Sequence, residues 1–434
     1  DTVGEVLSAS RDELESALDS AKPWLSSSAV QRAATLRSAA EHLESNSGEL
    51  FTMLCRESGK TISDAVAELR EAVDFLRYYA NQCEGYEGAP PRGIICCISP
   101  WNFPLAIFMG QVAAALAAGN AVIAKPSELT PLIAFRATEL LHEAGVPIAS
   151  MQLVLGTGQE IGQYIVGDNR IAGVCFTGST QTAQGIHQAM AINLAPEALL
   201  IAETGGLNAG IIDSTALPEQ AIRDTVASAF QSAGQRCSAL RILYVQEDIA
   251  DDLLEMLYGA MDELSLSDPK HLSTDMGPVI SNTAKLKIDT YIAAANAKGK
   301  LLKQMRAPEG GSFVGPAVIE IDSIKVLGEE IFGPVLHVVR FQSTEYESII
   351  DDINRSGYGL TFGLHTRISQ RADAIPHQLR VGNVYINRNQ IGAVVETQPF
   401  GGEGMSGTGP KAGGPNYVRR FYLPARRLHT CSSK

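Results

Sequence analysis

Apolar residues return every three or four positions through AVQRAATLRSAAEHLE and again through ISDAVAELREAVDFLRYYA. That spacing gathers them on one side of a helix, so two or three surface helices are predicted in roughly the first 80 residues. A Gly/Pro-rich break, GYEGAPPRG, then changes the rhythm. From GIICCIS onward, short β-type runs alternate with helical stretches: NAVIAKPS before TPLIAFRATELLHEA, MQLVLG before QEIGQYIVG, and AGVCFTGS before QTAQGIHQAMA. Such alternation predicts an α/β fold with a parallel, doubly wound sheet, in which nucleotides bind beyond the C-terminal ends of the strands. After ETGGLNAGIIDS the alternation resumes, with a helix from Glu219 to Ser232, a strand RILYVQ, a helix from Ile249 to Leu264 and strands at AVIEI and VLHVVRF. This second block reads as a second α/β domain. The tail, PNYVRRFYLPARRLH, alternates like an exposed strand in need of a partner edge.

Composition adds bounds to this outline. A chain of 434 residues, 45% hydrophobic and 19% charged, exceeds what one ordinary core holds, so two large domains are expected. The net charge of −13 argues against nucleic acid or an anionic membrane as partner, because either would be repelled. The basic cluster Arg419, Arg420, Arg426 and Arg427 is too small to reverse that. No uninterrupted apolar run approaches about 18 residues, and the opening residues are acidic and amphipathic, so neither a membrane span nor an export signal is expected. The chain does not begin with Met, which leaves room for a longer parent. Its seven cysteines show no C-x-x-C or zinc-ligand spacing, and Cys96 and Cys97 are adjacent, a poor geometry for a bridge. No metal site and a reducing, cytoplasmic setting are expected.

Five segments could carry chemistry. Cys237, in FQSAGQRCSALR, follows a predicted helix and a Gly-containing turn, and a thiolate is the strongest common nucleophile at neutral pH. Asn102, in ISPWNFP, could donate an uncharged hydrogen bond to the oxyanion formed when a thiolate adds to a carbonyl. Glu203, in IAETGG, could take a proton from water if burial raises its pKa. In AKPSE, Lys125 and Glu128 could bond the hydroxyls of an adenosine ribose, where the carboxylate would repel a 2′-phosphate and favour NAD over NADP. FTGST stands at a strand-to-helix transition, where backbone N–H groups would face a pyrophosphate, although Ala183 breaks a full G-x-G-x-x-G. Each is weak alone, since a lone cysteine is more often a buried apolar residue and surface Lys and Glu are common.

Read in order, ISPWNFP, AKPSE, FTGST, ETGG, GQRCS, EEIFGP and PFGGEGMSG resemble the aldehyde dehydrogenase superfamily across essentially the whole chain. ISPWNFPLAIF, GQVAAALAAGN, LIAETGGLNA, SAGQRCSALR, NRNQIGAVVETQPFGGEGMSGTGPKAGGP and REAVDFLRYYA narrow the resemblance. They are most similar to the L-glutamate γ-semialdehyde (Δ1-pyrroline-5-carboxylate) dehydrogenases, above all to that domain of the bifunctional proline utilization A proteins.

The resemblance implies a Rossmann-like NAD-binding domain over 1–84 and 95–204, an α/β catalytic domain over 205–414, and a small β oligomerisation flap from 85–94 and 415–434. It implies that Cys237 attacks the aldehyde, that Asn102 and the Cys237 N–H hold the oxyanion, and that Glu203 activates the water that cleaves the thioester. NAD contacts would come from Ile98, Ser99, Pro100 and Trp101, from Lys125, Ser127 and Glu128, and from Gly158 and Gly162. Further contacts would come from Thr177, Gly178 and Ser179 and from Glu330 and Phe332, with Glu330 on the nicotinamide ribose. For the substrate, Gly392 and Ala393 of an anchor loop with Ser238 and Arg236 would bind the α-carboxylate, Glu71 would meet the α-ammonium, and Phe103 and Phe400 would line the aliphatic tunnel. Implied partners are an amino-acid aldehyde, a second copy of the chain and a proline dehydrogenase domain in the same full-length chain. The competing expectations are a dehydrogenase of another semialdehyde and a catalytically silent protein of the same fold.

Overall fold

The structure, a computed structural model, describes residues 3–424. Arg426, Arg427, Cys431 and the last part of the expected tail strand lie outside them. Four helices open the chain: α1 (Arg11–Ser20), α2 (Ala29–Ser45), α3 (Ser47–Ser58) and α4 (Ile62–Glu84). Ser10 and Ser28 start α1 and α2 with reciprocal capping boxes, which satisfy N–H groups that the helix itself leaves bare.

Five parallel strands follow: β1 (Ile94–Ile98), β2 (Ala121–Lys125), β3 (Met151–Leu153), β4 (Ile171–Gly178) and β5 (Leu199–Thr204). They stand in the order β3-β2-β1-β4-β5. β1 and β2 are near-continuous apolar runs because a parallel sheet is covered on both faces. One cover is α5 (Ala106–Ala117), apolar all round and almost wholly buried, which is the pattern of a helix enclosed on every side. α6 (Pro131–Glu143), the single turn α7 (Gln163–Val166) and α8 (Thr180–Asn193) complete the crossovers.

The second block builds a separate sheet from β6 (Ala209–Ile212), β7 (Ile242–Gln246), β8 (Leu301–Gln304), β9 (Ala317–Glu320), β10 (Val335–Phe341), β12 (Thr361–His365) and β13 (Asn383–Ile386). Its order is β13-β12-β6-β7-β10-β9-β8, parallel except for the antiparallel edge strand β8. A two-residue strand, β11 (Tyr358–Gly359), pairs with β14 (Glu403–Gly404).

Several expectations change, beginning with the opening segment, where four helices stand in place of two or three. The helix expected to reach Ser232 is α9 (Pro218–Phe230); it stops because Ser232 and Ala233 turn to φ of 55° and 56°. The expected tail strand is, over its described part, a 3-10 turn at Val418–Phe421. Its alternating aromatics fold inward, with Tyr417 stacked on Tyr79 and Tyr422 on Tyr86, so that burial outweighs extended pairing. Of the expected β flap, the described residues show one isolated antiparallel bridge, Pro91 to Tyr422.

Candidate active site

The C-terminal ends of β1, β2, β4 and β5 open onto one cleft, where open parallel sheets offer free backbone groups and helix N-termini to a ligand. The innermost cavity holds about 870 Å³ and is lined by Glu71, Phe103, Glu203, Arg236, Cys237, Ser238, Gly392, Ala393 and Phe400, among others. A second, of about 1170 Å³, is walled by Pro100, Trp101, Asn102, Thr177, Gly178, Ser179, Cys237, Glu330 and Phe332. Gln181 continues it into a third, of about 1540 Å³, with Ile98, Lys125, Glu128, Gly158 and Gly162 on its wall. Residues as far apart in sequence as Glu71 and Phe400, 329 positions, thus line the space around one sulfur, and Cys237 belongs to both the first and the second cavity. Ser99 and Ser127 lie off these walls: Ser99 is buried with its hydroxyl unpartnered, and Ser127 Oγ accepts from Leu129 N.

The turn that presents Cys237 is tight. Ser232, Ala233 and Gly234 all have positive φ, and a Cβ on Gly234 would meet the Gly333 carbonyl oxygen at 2.2 Å. Asn208 Nδ2 donates to the Cys237 carbonyl at 2.6 Å and to that of Ala239 at 3.0 Å, fixing the segment to the start of β6. Burial, with the Glu330, Glu203 and Glu71 carboxylates around it, pushes the Cys237 thiol up to about 12. The resting group is therefore the neutral thiol. Asn102 Nδ2 donates to the Gln235 carbonyl at 3.0 Å, which holds the amide on the cavity wall it shares with Cys237, its second N–H without an acceptor among the described residues.

Glu203, at the end of β5, accepts from Gly402 N at 2.8 Å, and its Oε1 has no partner among the described residues. Burial lifts its pKa to about 8 against the pull of Gly402 N–H and Lys411. The glycines of PFGGEGMSG explain its seat, because a Cβ on Gly407 would meet its carboxylate at 2.6 Å. Burial also lifts Glu71 to about 7, with Glu68 adding to the rise and Arg236 and Lys60 opposing it.

Glu330 was expected on a ribose; it accepts two hydrogen bonds from Arg241, at 3.0 and 2.8 Å. Arg241 is 1% exposed and needs that counter-charge, since an unpaired buried guanidinium is costly. Trp101 packs edge-on against Phe332, whose ring also lies under Arg241. On the outer cavity, Lys125 is buried at the end of β2, donates to the Pro126 carbonyl at 2.9 Å and reaches the half-exposed Glu128 at 3.5 Å. Ser179 caps α8 through Thr182 N, leaving the first turn of a 14-residue helix facing the cleft.

Sequence reasoning missed Lys60, Asp64, Glu68 and Arg241. Lys60 pairs with Glu68 at 2.8 Å and Arg236 with Asp64 at 2.8 Å, all four deeply buried. A signal existed: Asp64, Glu68 and Glu71 sit four and three residues apart, among the apolar positions Ala65, Leu69 and Ala72 of α4. Acids on the core side of a helix require partners.

A thiol, an uncharged donor and a buried carboxylate can together add to a carbonyl and hydrolyse the resulting thioester. A helix N-terminus, an open glycine turn and a Lys–Glu pair along an extended cleft suit a dinucleotide. The comparisons agree in kind. The chain matches the aldehyde dehydrogenase family over residues 1–425. It is 51% identical, over 97% of its length, to the bifunctional protein PutA of Klebsiella aerogenes, and spans about a third (34%) of that relative. It is 35% identical to the 1-pyrroline-5-carboxylate dehydrogenase of Geobacillus thermodenitrificans, covering 96% of this chain and 86% of that one. A solved 1-pyrroline-5-carboxylate dehydrogenase from Thermus with bound NAD superposes with a TM-score of 0.90 at 33% identity, over 96% and 85% of the two chains.

Proposed function

Because the chain belongs to the aldehyde dehydrogenase family, we propose that it oxidises L-glutamate γ-semialdehyde, the open form of Δ1-pyrroline-5-carboxylate, to L-glutamate with NAD. The observation that carries the reading is the single sulfur, Cys237, in the wall of both the inner cavity and the extended cleft. An aldehyde on one side and a hydride acceptor on the other then meet at one atom.

The Cys237 sulfur adds to the aldehyde carbon, its proton passing to water in the cleft, as the carbonyl oxygen becomes an oxyanion. The spare N–H of Asn102 and the Cys237 backbone N–H receive that oxyanion. NAD, when bound, supplies the hydride acceptor and a positive ring charge that opposes the three carboxylates around the thiol. Hydride leaves the hemithioacetal carbon as the C=O bond re-forms, giving a thioester. Glu203 then takes a proton from water, whose oxygen attacks the thioester carbon; carbon–sulfur cleavage frees the carboxylate and restores the thiol. Arg236, Ser238, Gly392 and Ala393 hold the α-carboxylate, Glu71 the α-ammonium, and Phe103 and Phe400 the carbon chain between. Trp101, Phe332 and Glu330 border the reactive end of the cofactor; Lys125 and Glu128 face its adenosine.

The chain spans about a third of the bifunctional relatives it matches, so a proline dehydrogenase domain in a longer parent chain is part of this proposal. A homo-oligomer and a cytoplasmic setting belong to it too; six described cysteines, all free, support a reducing compartment. No described helix is long and apolar enough to cross a membrane.

The test is NADH formation with Δ1-pyrroline-5-carboxylate, in wild type and Cys237→Ala, with propanal as control. Turnover that requires Cys237 and favours the amino-acid aldehyde is expected. Activity on propanal alone would leave the thiol chemistry standing and remove the substrate assignment.

A further inference from the structure

Asp64 stands in the first turn of α4, 1% exposed, with its backbone N–H on the Thr61 cap at 3.2 Å. Its carboxylate collects three donors, all from the segment leading into Cys237. Gln231 Nε2 at 2.6 Å and Arg236 Nη2 at 2.8 Å reach Oδ1, and Ser232 Oγ reaches Oδ2 at 2.7 Å. Arg236 Nε donates to Ser232 Oγ at 3.1 Å, closing a ring through Asp64, Ser232 and Arg236. The guanidinium carbon sits 5.2 Å from the centre of the Phe103 ring, and the Lys60 ammonium lies 4.3 Å from the same centre. The edge of the guanidinium formed by Nε and Nη2 is thereby committed, while Nη1 has no hydrogen-bond partner among the described residues.

Arg236 and Glu71 line the same cavity with opposite charges. Left to themselves in a poorly solvated space, they would pair with each other, and neither would remain for the two charged ends of an amino acid. A counter-charge placed behind Arg236 removes that competition. Burial works against an ionised Asp64, yet Arg236, Lys60, Ser232 and Gln231 outweigh it and hold the group below the usual carboxylate range.

We infer that Asp64 is a positioning residue for this reaction: it fixes the plane of Arg236, keeps it from Glu71, and turns its free Nη1 edge toward the carboxylate of the bound aldehyde. The inference rests on Arg236 being a substrate ligand, as proposed above. Its consequence is selectivity for aldehydes that carry a carboxylate.

Asp64→Asn keeps the shape, removes the charge and turns N–H groups toward other donors. With saturating NAD, KM for L-glutamate γ-semialdehyde should rise about tenfold to a hundredfold, the range expected for a misaligned binding group, while kcat/KM for propanal stays near wild type. In an Arg236→Met background the same change should cost no further discrimination, because the two act as one unit. Thermal melting checks that the variants fold; if Asp64→Asn does not, Ser232→Ala, which opens the same ring, should lower discrimination in the same direction. Equal losses on both aldehydes, additive losses in the double variant, or unchanged discrimination would each overturn the inference. A wild type without preference for the amino-acid aldehyde removes the substrate reading and this inference with it. A wild-type preference that survives in Asp64→Asn removes the inference alone.

Discussion

Glu203 sits where burial and chemistry pull against each other. With its pKa lifted to about 8 by burial, it is mostly neutral at pH 7 and becomes a base only above that point. Thioester hydrolysis should therefore quicken as pH rises through about 8, measured as steady-state NADH formation. Glu203→Gln should give one burst of NADH and then turn over about 100 to 10,000 times more slowly, the usual worth of a general base. Stability follows the opposite sign. A carboxyl whose folded pKa exceeds its unfolded 4.5 favours folding below 4.5, and that contribution is lost as pH rises toward about 8. Glutamine stays neutral throughout, so Glu203→Gln should melt above wild type at pH 8 and converge with it near pH 4.5. A lower melting point for the variant at pH 8 would mean the ionised carboxylate is better accommodated than its burial implies. Cys237, Glu203 and Asn102 were all legible in short motifs. Their states were not: the neutral thiol and the raised carboxyl depend on neighbours such as Glu330 and Glu71, far away in sequence.

The turn between α9 and Cys237 is the element that aims the proposed nucleophile. Helical periodicity ran on to Ser232, because nothing local marks where Ser232 and Ala233 leave the right-handed region; the close approach of Gly234 to Gly333 decides it. Gly234→Ala places a Cβ at 2.2 Å from the Gly333 carbonyl oxygen and forces φ of 66° on alanine. It should lose about 2–4 kcal/mol in denaturant unfolding, because the backbone on both sides must shift. Ala233→Gly, at a similar φ, should stay within about 1 kcal/mol of wild type, since relief of strain offsets added freedom in the unfolded chain. If both variants unfold alike, the close packing at Gly234 does not govern the turn.

Across the whole molecule, the cleft is a product of two sheets and the segments between them. The parallel character of the first sheet, the strand ends carrying Lys125, Thr177 and Glu203, and the second α/β block were readable from alternation. The antiparallel edge strand β8 and the inward fold of Tyr417 and Tyr422 were not, since pairing partners and aromatic stacks join distant segments. Binding in the extended cleft should show as thermal stabilisation: a ligand at a hundred times its Kd adds about 2.7 kcal/mol to a protein it binds only when folded. NAD should raise the melting temperature more than NADP at equal concentration, because the Glu128 carboxylate beside buried Lys125 opposes a 2′-phosphate. A larger shift with NADP would exclude Glu128 from the ribose.

Local chemistry was written in the order of residues: a thiol after a glycine turn, an asparagine after a strand, an acid before a glycine pair, and the alternation that makes strands and helices. Those features depend on neighbours within a few positions, so a linear reading reaches them. The charge network of Lys60, Asp64, Glu68, Glu71 and Arg236, the Arg241–Glu330 pair and the neutral thiol exist only once α4, the Cys237 turn and the second sheet meet. Desolvation and Coulomb forces depend on distance in space, and the fold alone sets that distance.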